Sequence, residues 1–222
     1  MSASRSVRID ALVHELERPA LRAGAYQLVE CLNAASDSSW QVQLRFPPSL
    51  AAGDVTAAPE VSIASLLGEV LRDDEPLAVA ELRWRRDLAG RSPSSAGTLL
   101  LCTVFRGTAE RASDADGSTR PATVERIRQL NRLAIDLSHD FGIGLIDIDR
   151  VLTFIGARRL RTDFRLGSAA AAEAAGFAIA QSLLAFGLDR SLPPEVAERA
   201  AALHGSLFEI EQRLVRRVKR AR

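Results

Sequence analysis

Strict alternation marks Trp40 to Phe46, where Trp40, Val42, Leu44 and Phe46 face one way and Gln41, Gln43 and Arg45 the other. A period of two predicts a strand with one wet face, suited to a sheet edge or to antiparallel pairing. Thr98–Phe105 (TLLLCTVF) and Ile143–Ile148 (IGLIDI) are instead continuous apolar runs. Such runs are expected of strands covered on both faces within a parallel sheet. Leu77–Trp84 is a further strand candidate.

Helical periods fill the rest. Ile9, Leu12, Val13 and Leu16 share one helical face, and after Pro19 a second stripe runs through Leu21, Ala25, Leu28 and Leu32. The expectation is two consecutive helices, or one kinked at the proline. A short helix is expected over Val61–Leu71. Pro121 suits a first helical position and opens the stripe Val124, Ile127, Leu130, Ala134, Leu137. Ser168–Gly187 predicts a helix of small residues able to lie close against a sheet. Polar, proline-rich or glycine-rich stretches at 47–59, 85–97 and 107–120 read as loops, the last a candidate lid.

The strand at 98–105, the helix after Pro121 and the strand at 143–148 form a βαβ unit, whose crossover should be right-handed and whose strands should be parallel. The fold class is therefore α/β.

A last helix opens at Pro193 and Pro194, carries Glu195 and Glu198 near its positive end, and finishes with Arg213, Arg216, Arg217, Lys219 and Arg220 near its negative end. Its stripe Val196, Ala200, Leu203, Leu207, Ile210, Leu214 repeats at the spacing of a helix seam. A seam of this kind packs on the chain's own core, or against a second copy or another protein. Leu203, Leu207, Ile210 and Leu214 are the candidate interface residues. The expected organisation is an α/β domain over 1–190 and an added amphipathic helix over 191–222.

Composition narrows the function classes. The chain has 222 residues, 47% of them hydrophobic, with 29 basic and 28 acidic side chains for a formal charge of +1. Disordered and fibrous classes are excluded. A near-neutral chain lacks the field of a general nucleic-acid binder, and the basic cluster at Arg213–Arg222 already suits a helix C-terminus. Only Lys219 among the basic residues is lysine, a bias that reads as GC-rich coding and discounts each arginine cluster. Cys31 and Cys102 do not form a disulfide framework, so a reducing cytoplasm is the expected compartment. No apolar run approaches the ~20 residues of a membrane helix, and Met1–Pro19 lacks the apolar stretch of a signal peptide.

His14, His139 and His204 are isolated, and with two distant cysteines they give no metal-ligand spacing. Gly142 and Gly144 lie at a strand entry and make no phosphate loop. No metal and no cofactor are expected.

From about Leu99 to Leu188 the sequence resembles the C-terminal half of the SGNH (GDSL-type) hydrolase superfamily. Three blocks carry the likeness: TLLLCTVFRG, then RIRQLNRLAIDLSHDFGIGLIDIDRVL with Asn131 on its helix, then RTDFRLGSAAAAEAAGFAIAQSLL. The resemblance implies a three-layer, flavodoxin-like sandwich with a mostly parallel sheet. It also implies hydrolysis by a serine nucleophile, a histidine base, an orienting aspartate and oxyanion donors. Here the chain departs from the family. Asp163 stands at the Asp of the Asp-x-x-His block, but the histidine position is Leu166, which cannot move a proton. Gly53-Asp54 is followed by Val55, so the expected serine is missing, and no Gly-x-Asn-Asp block occurs.

The implied function is a non-catalytic, SGNH-like binding or assembly subunit, with bacterial polysaccharide or lipid-linked biosynthesis as the setting the family suggests. Its partner would be another protein or a second copy. The rival is an ester hydrolase or deacetylase with a displaced site built from Ser168 or Thr103 with His139 and Asp163.

Ligands of open parallel sheets bind beyond the carboxyl ends of the strands. Those ends carry Thr103, Phe105, Arg106, Asp147 and Asp149, and the family layout brings Arg158, Arg159, Arg161 and Arg165 to the same edge. Arg106, Arg161 and Arg165 are candidates for an anionic small molecule or a glycan. The plainer alternative is a solvated arginine-rich loop with Asp163 paired inside it.

Overall fold

The computed structural model describes residues 4–49, 58–72, 74–91, 97–106, 121–155 and 169–220. Among these residues five strands form one parallel sheet: β1 (Ser4–Leu12), β2 (Ser39–Arg45), β3 (Val61–Ser65), β4 (Thr98–Cys102) and β5 (Gly144–Ile146), in the order β2-β1-β3-β4-β5. This is the flavodoxin-like order of doubly wound sheets. The helices are α1 (Arg18–Ala35), α2 (Leu67–Val70), α3 (Leu77–Ala89), α4 (Pro121–Phe141), α5 (Ile148–Ile155), α6 (Ala169–Ser182), α7 (Pro194–His204) and α8 (Leu207–Arg220).

Handedness dictates the layers. The step from β1 to β2 runs one way across the sheet and the steps from β3 to β5 run the other, so right-handed crossovers put α1 on one face and α3 and α4 on the opposite one. The side chains agree. Ile63, Leu100 and Cys102 join α1, α5, α6, α7 and α8 in one core, while Ala64, Leu99 and Leu101 join α2, α3 and α4 in the other. Because β4 is covered on both faces, its two alternating sets are both apolar, and the continuous run predicted at 98–105 is what results. The edge strand predicted at Trp40–Phe46 is β2, with Trp40 buried and its neighbour Gln41 exposed.

The structure corrects several sequence expectations. The first segment is strand β1, not a helix: Val7, Ile9 and Ala11 alternate into the core, each 1% exposed. The helical reading used Leu12, Val13 and Leu16, which lie past or at the strand's end, and overlooked that period of two. Val61–Leu71 is likewise strand β3 followed by the one-turn α2, since all five residues of β3 are buried and none needs a polar face. Leu77–Trp84 begins helix α3, in which Ala80, Trp84 and Leu88 recur every four residues as the buried stripe. The predicted loop at 85–97 accordingly starts later, because α3 runs to Ala89.

The C-terminal helix is two helices. Gly205 has φ 82° and ends α7, so the seam bends between Leu203 and Leu207 and cannot run as one stripe. Val196, Ala200, Ile210 and Leu214 are all buried in the larger core.

Helix α1 crosses α6 at Gly24 and Gly176. A Cβ on Gly176 would stand 2.7 Å from the Gly24 nitrogen, and one on Gly24 would stand 2.9 Å from the Gly176 oxygen, so glycine is required at both positions. Together with the turn at 183–187, α6 forms the one helix among the described residues that is long and apolar enough to cross a membrane by length and composition. Its residues Ala174, Ala175, Phe177, Ala178 and Ile179 are buried against the core of this chain. The candidate lid at 107–120 and the arginine-rich 158–165 lie outside the described residues.

Candidate functional site

The sheet order reverses between β1 and β3, and ligands of doubly wound sheets bind at the carboxyl ends beside that reversal. At this point the chain after β1 makes a tight turn in which Glu17 accepts from the His14 backbone N–H (3.0 Å) and His14 Nδ1 accepts from Leu16 N–H (3.3 Å). That reciprocal box fixes the turn and aims Glu17 inward. Glu17 is 5% exposed. Its other oxygen accepts a 2.6 Å hydrogen bond from the hydroxyl of Ser65, the last residue of β3. Ser65 Oγ in turn accepts from the Leu67 N–H at 3.1 Å, tying the strand end to the start of α2.

Burial pushes the Glu17 carboxyl up from 4.5 to about 7, although both hydrogen bonds work against the rise. Cys102 ends β4 in register with Ser65 and is 1% exposed. Burial, with the Glu17 charge second, pushes its thiol well above the ordinary range, so it is an unreactive thiol and no thiolate nucleophile. A carboxyl that titrates near neutrality beside a hydroxyl is the chemical possibility this half of the edge contains.

The other half lies at β4 and β5. Thr103 donates to Asp147 Oδ1 (3.2 Å) and accepts from the Asp149 N–H (3.0 Å). Asp147 Oδ1 also accepts from the Arg150 N–H at 3.0 Å and so caps α5. Arg106 donates its backbone N–H to Asp149 (2.9 Å), pairs its Nε with the same carboxylate (2.9 Å), and reaches Thr153 with Nη2 (3.3 Å). Behind them Asn131 grips Val104 through both backbone groups, at 2.7 and 2.8 Å, in the manner of a strand neighbour. An open depression of about 450 Å³ is lined by Arg106, Asp147, Asp149, Arg150, Thr153 and Phe154.

The predicted residues therefore divide. Thr103, Arg106, Asp147 and Asp149 meet as expected at the carboxyl edge. His139 does not join them. It sits at the end of α4, 90% exposed beside Asp140, just ahead of the amino end of β5, whereas Thr103 follows the carboxyl end of β4. Since α4 has 21 residues, about 30 Å of helix separates the carboxyl edge where it begins from the amino edge where it ends. Ser168, Asp163, Arg161 and Arg165 lie outside the described residues. Of the seam, Ile210 and Leu214 are buried in this chain's core, Leu207 is half-buried, and Leu203 is 56% exposed.

Glu17 and Ser65 were not among the sequence candidates. The signal that could have found them is the pair of strands β1 and β3, since Glu17 sits in the turn that follows the first and Ser65 ends the second, and a helical reading of both segments hides it. Among the described residues no group of three histidine, cysteine or carboxylate side chains is placed to hold a metal ion.

Comparison of the chain with family models, with curated proteins and with solved structures finds no match. The functional reading therefore rests on geometry.

Proposed function

We propose that this protein is a non-catalytic, SGNH-hydrolase-like binding or assembly subunit whose ligand-facing surface is the carboxyl edge of the sheet. The observation that supports it is the state of the two hydroxyls there. Thr103 and Ser65 each donate to a buried or capping carboxylate and each accept from a backbone N–H. Both hydroxyls thus serve to fix loops. Arg106 and Phe154, by contrast, are presented on an open surface.

A second reading draws on one specific observation. Ser65 stands 2.6 Å from a carboxyl shifted toward neutrality, at the reversal of strand order. An ester hydrolase using Ser65 with Glu17 as base would need these two groups.

Hydrolysis of short-chain p-nitrophenyl esters by the purified chain and by Ser65→Ala separates the readings. A folded sample with no turnover above the protein-free blank is the result expected of a binding subunit. Turnover that disappears in Ser65→Ala would overturn that proposal in favour of the hydrolase.

A further inference from the structure

The depression beside β4 and β5 combines three features that a general solvated edge does not need. Its guanidinium is held in place: Arg106 is fixed by Asp149 on one side and Thr153 on another, and Nη1 has no partner among the described residues. Asp147 uses only Oδ1 in its bonds to Thr103 and Arg150, and Oδ2 has no partner among the described residues. Phe154, on the same wall, is 51% exposed although α5 otherwise buries its apolar residues Ile148, Val151, Leu152 and Ile155.

A flat apolar ring beside a fixed planar donor and an unused carboxylate oxygen matches the surface of a sugar. The C–H face of a pyranose packs on the phenyl ring, while vicinal hydroxyls donate to the carboxylate and accept from the guanidinium. Charge selects further. The lining carries two guanidinium groups, Arg106 and Arg150, against two carboxylates, Asp147 and Asp149, so it offers a polyanion no net attraction.

We propose that this depression is a binding site for a neutral hexose-based saccharide, stacked on Phe154 and hydrogen-bonded by Asp147 Oδ2 and Arg106. The inference deepens the binding-subunit reading and rests on it. Asp149 and Thr153 are positioning residues that hold the guanidinium.

Titration calorimetry of the full chain with cellotetraose, chitotetraose and mannotetraose, alongside tetra-galacturonate and inorganic phosphate, tests it. Binding of at least one neutral tetrasaccharide is expected, weakened about tenfold or more by Phe154→Ala and by Asp147→Asn. The asparagine retains the cap on Arg150 N–H while removing the free acceptor, so its thermal unfolding should match the parent and separate recognition from folding. Failure of all three neutral saccharides to bind, binding of the anionic probes alone, or affinity unchanged in both variants would overturn the site. The ester assay with Ser65→Ala fails independently: turnover there would overturn the non-catalytic reading while leaving saccharide binding at Phe154 intact.

Discussion

The Ser65 hydroxyl and the Glu17 carboxyl meet at 2.6 Å across the point where strand order reverses, joining the turn after β1 to the turn after β3. Protonation of Glu17 would make it the donor in this contact and turn the Ser65 proton elsewhere. The pair thus has two hydrogen-bond arrangements, and the buried carboxyl selects between them.

This coupling makes stability depend on pH in a defined direction. Glu17 titrates at about 7 in the fold against 4.5 ordinarily. A raised carboxyl contributes its full stability below pH 4.5 and loses it as pH rises through 7, an effect of up to about 3 kcal/mol. Glu17→Gln removes the titration while keeping an acceptor for His14 or Ser65. Urea unfolding of both proteins between pH 5 and 8 should show the parent weakening relative to the variant. A difference independent of pH would mean that Glu17 does not titrate in this window.

His204 gives the opposite slope. It is 7% exposed, stacked on Phe177 at 4.4 Å between ring centroids, with Nε2 3.3 Å from Gln27 Oε1. Burial, with the Arg213 charge second, lowers it from 6.5 to about 4. Its contribution is present above pH 6.5 and is lost as pH falls toward 4, at up to about 1.4 kcal/mol per pH unit. His204→Phe keeps a ring against Phe177 and should flatten the acid limb of the stability profile. An equally steep limb in the variant would assign the acid sensitivity to other groups.

How much of this arrangement could be read from the chain follows from which elements bury one face and which bury two. Trp40–Phe46 and the helix after Pro121 each keep a wet side, so their periods are unmistakable and both elements are present as β2 and α4. Strand β3 has no wet side, and nothing in Val61–Ser65 separates a five-residue buried strand from the start of a helix. Strand β1 carries buried Asp10, satisfied by Arg45 directly across the β1–β2 register at 2.6 Å, and a buried charge disguises a strand's apolar alternation. The β4–β5 half of the site was legible because the parallel run and its helix locate the carboxyl edge. The Glu17–Ser65 half was not, because Ser65 ends β3 and Glu17 sits in the turn after β1, the two strands that the helical periods hid.

The clip on Val104 should be costly to break. Val104 is 2% exposed, and both its N–H and its C=O depend on Asn131. Asn131→Leu leaves two buried backbone groups unpaired, a loss of about 2–4 kcal/mol. Hydrogen exchange at the Val104 amide should accelerate in the variant more than exchange in β1. Uniform acceleration would show that Asn131 supports the whole fold and not this loop.

The two ends of the C-terminal seam should respond differently to charge. Ile210 is fully buried in the core, whereas Leu203 is 56% exposed at the end of α7. Burying an unpaired carboxylate in place of Ile210 removes an apolar side chain and strands a charge, so Ile210→Asp should cost more than about 3 kcal/mol or prevent folding. Leu203→Asp faces solvent and should shift unfolding by no more than about 0.5 kcal/mol. The second variant is therefore the informative probe of association, because it alters the surface without damaging the core. If the parent self-associates through this surface, Leu203→Asp should lower the mass found by light scattering at unchanged thermal stability. A parent oligomer whose mass survives Leu203→Asp would remove α7 from the interface and leave Ile210 and Leu214 with a role inside the chain alone.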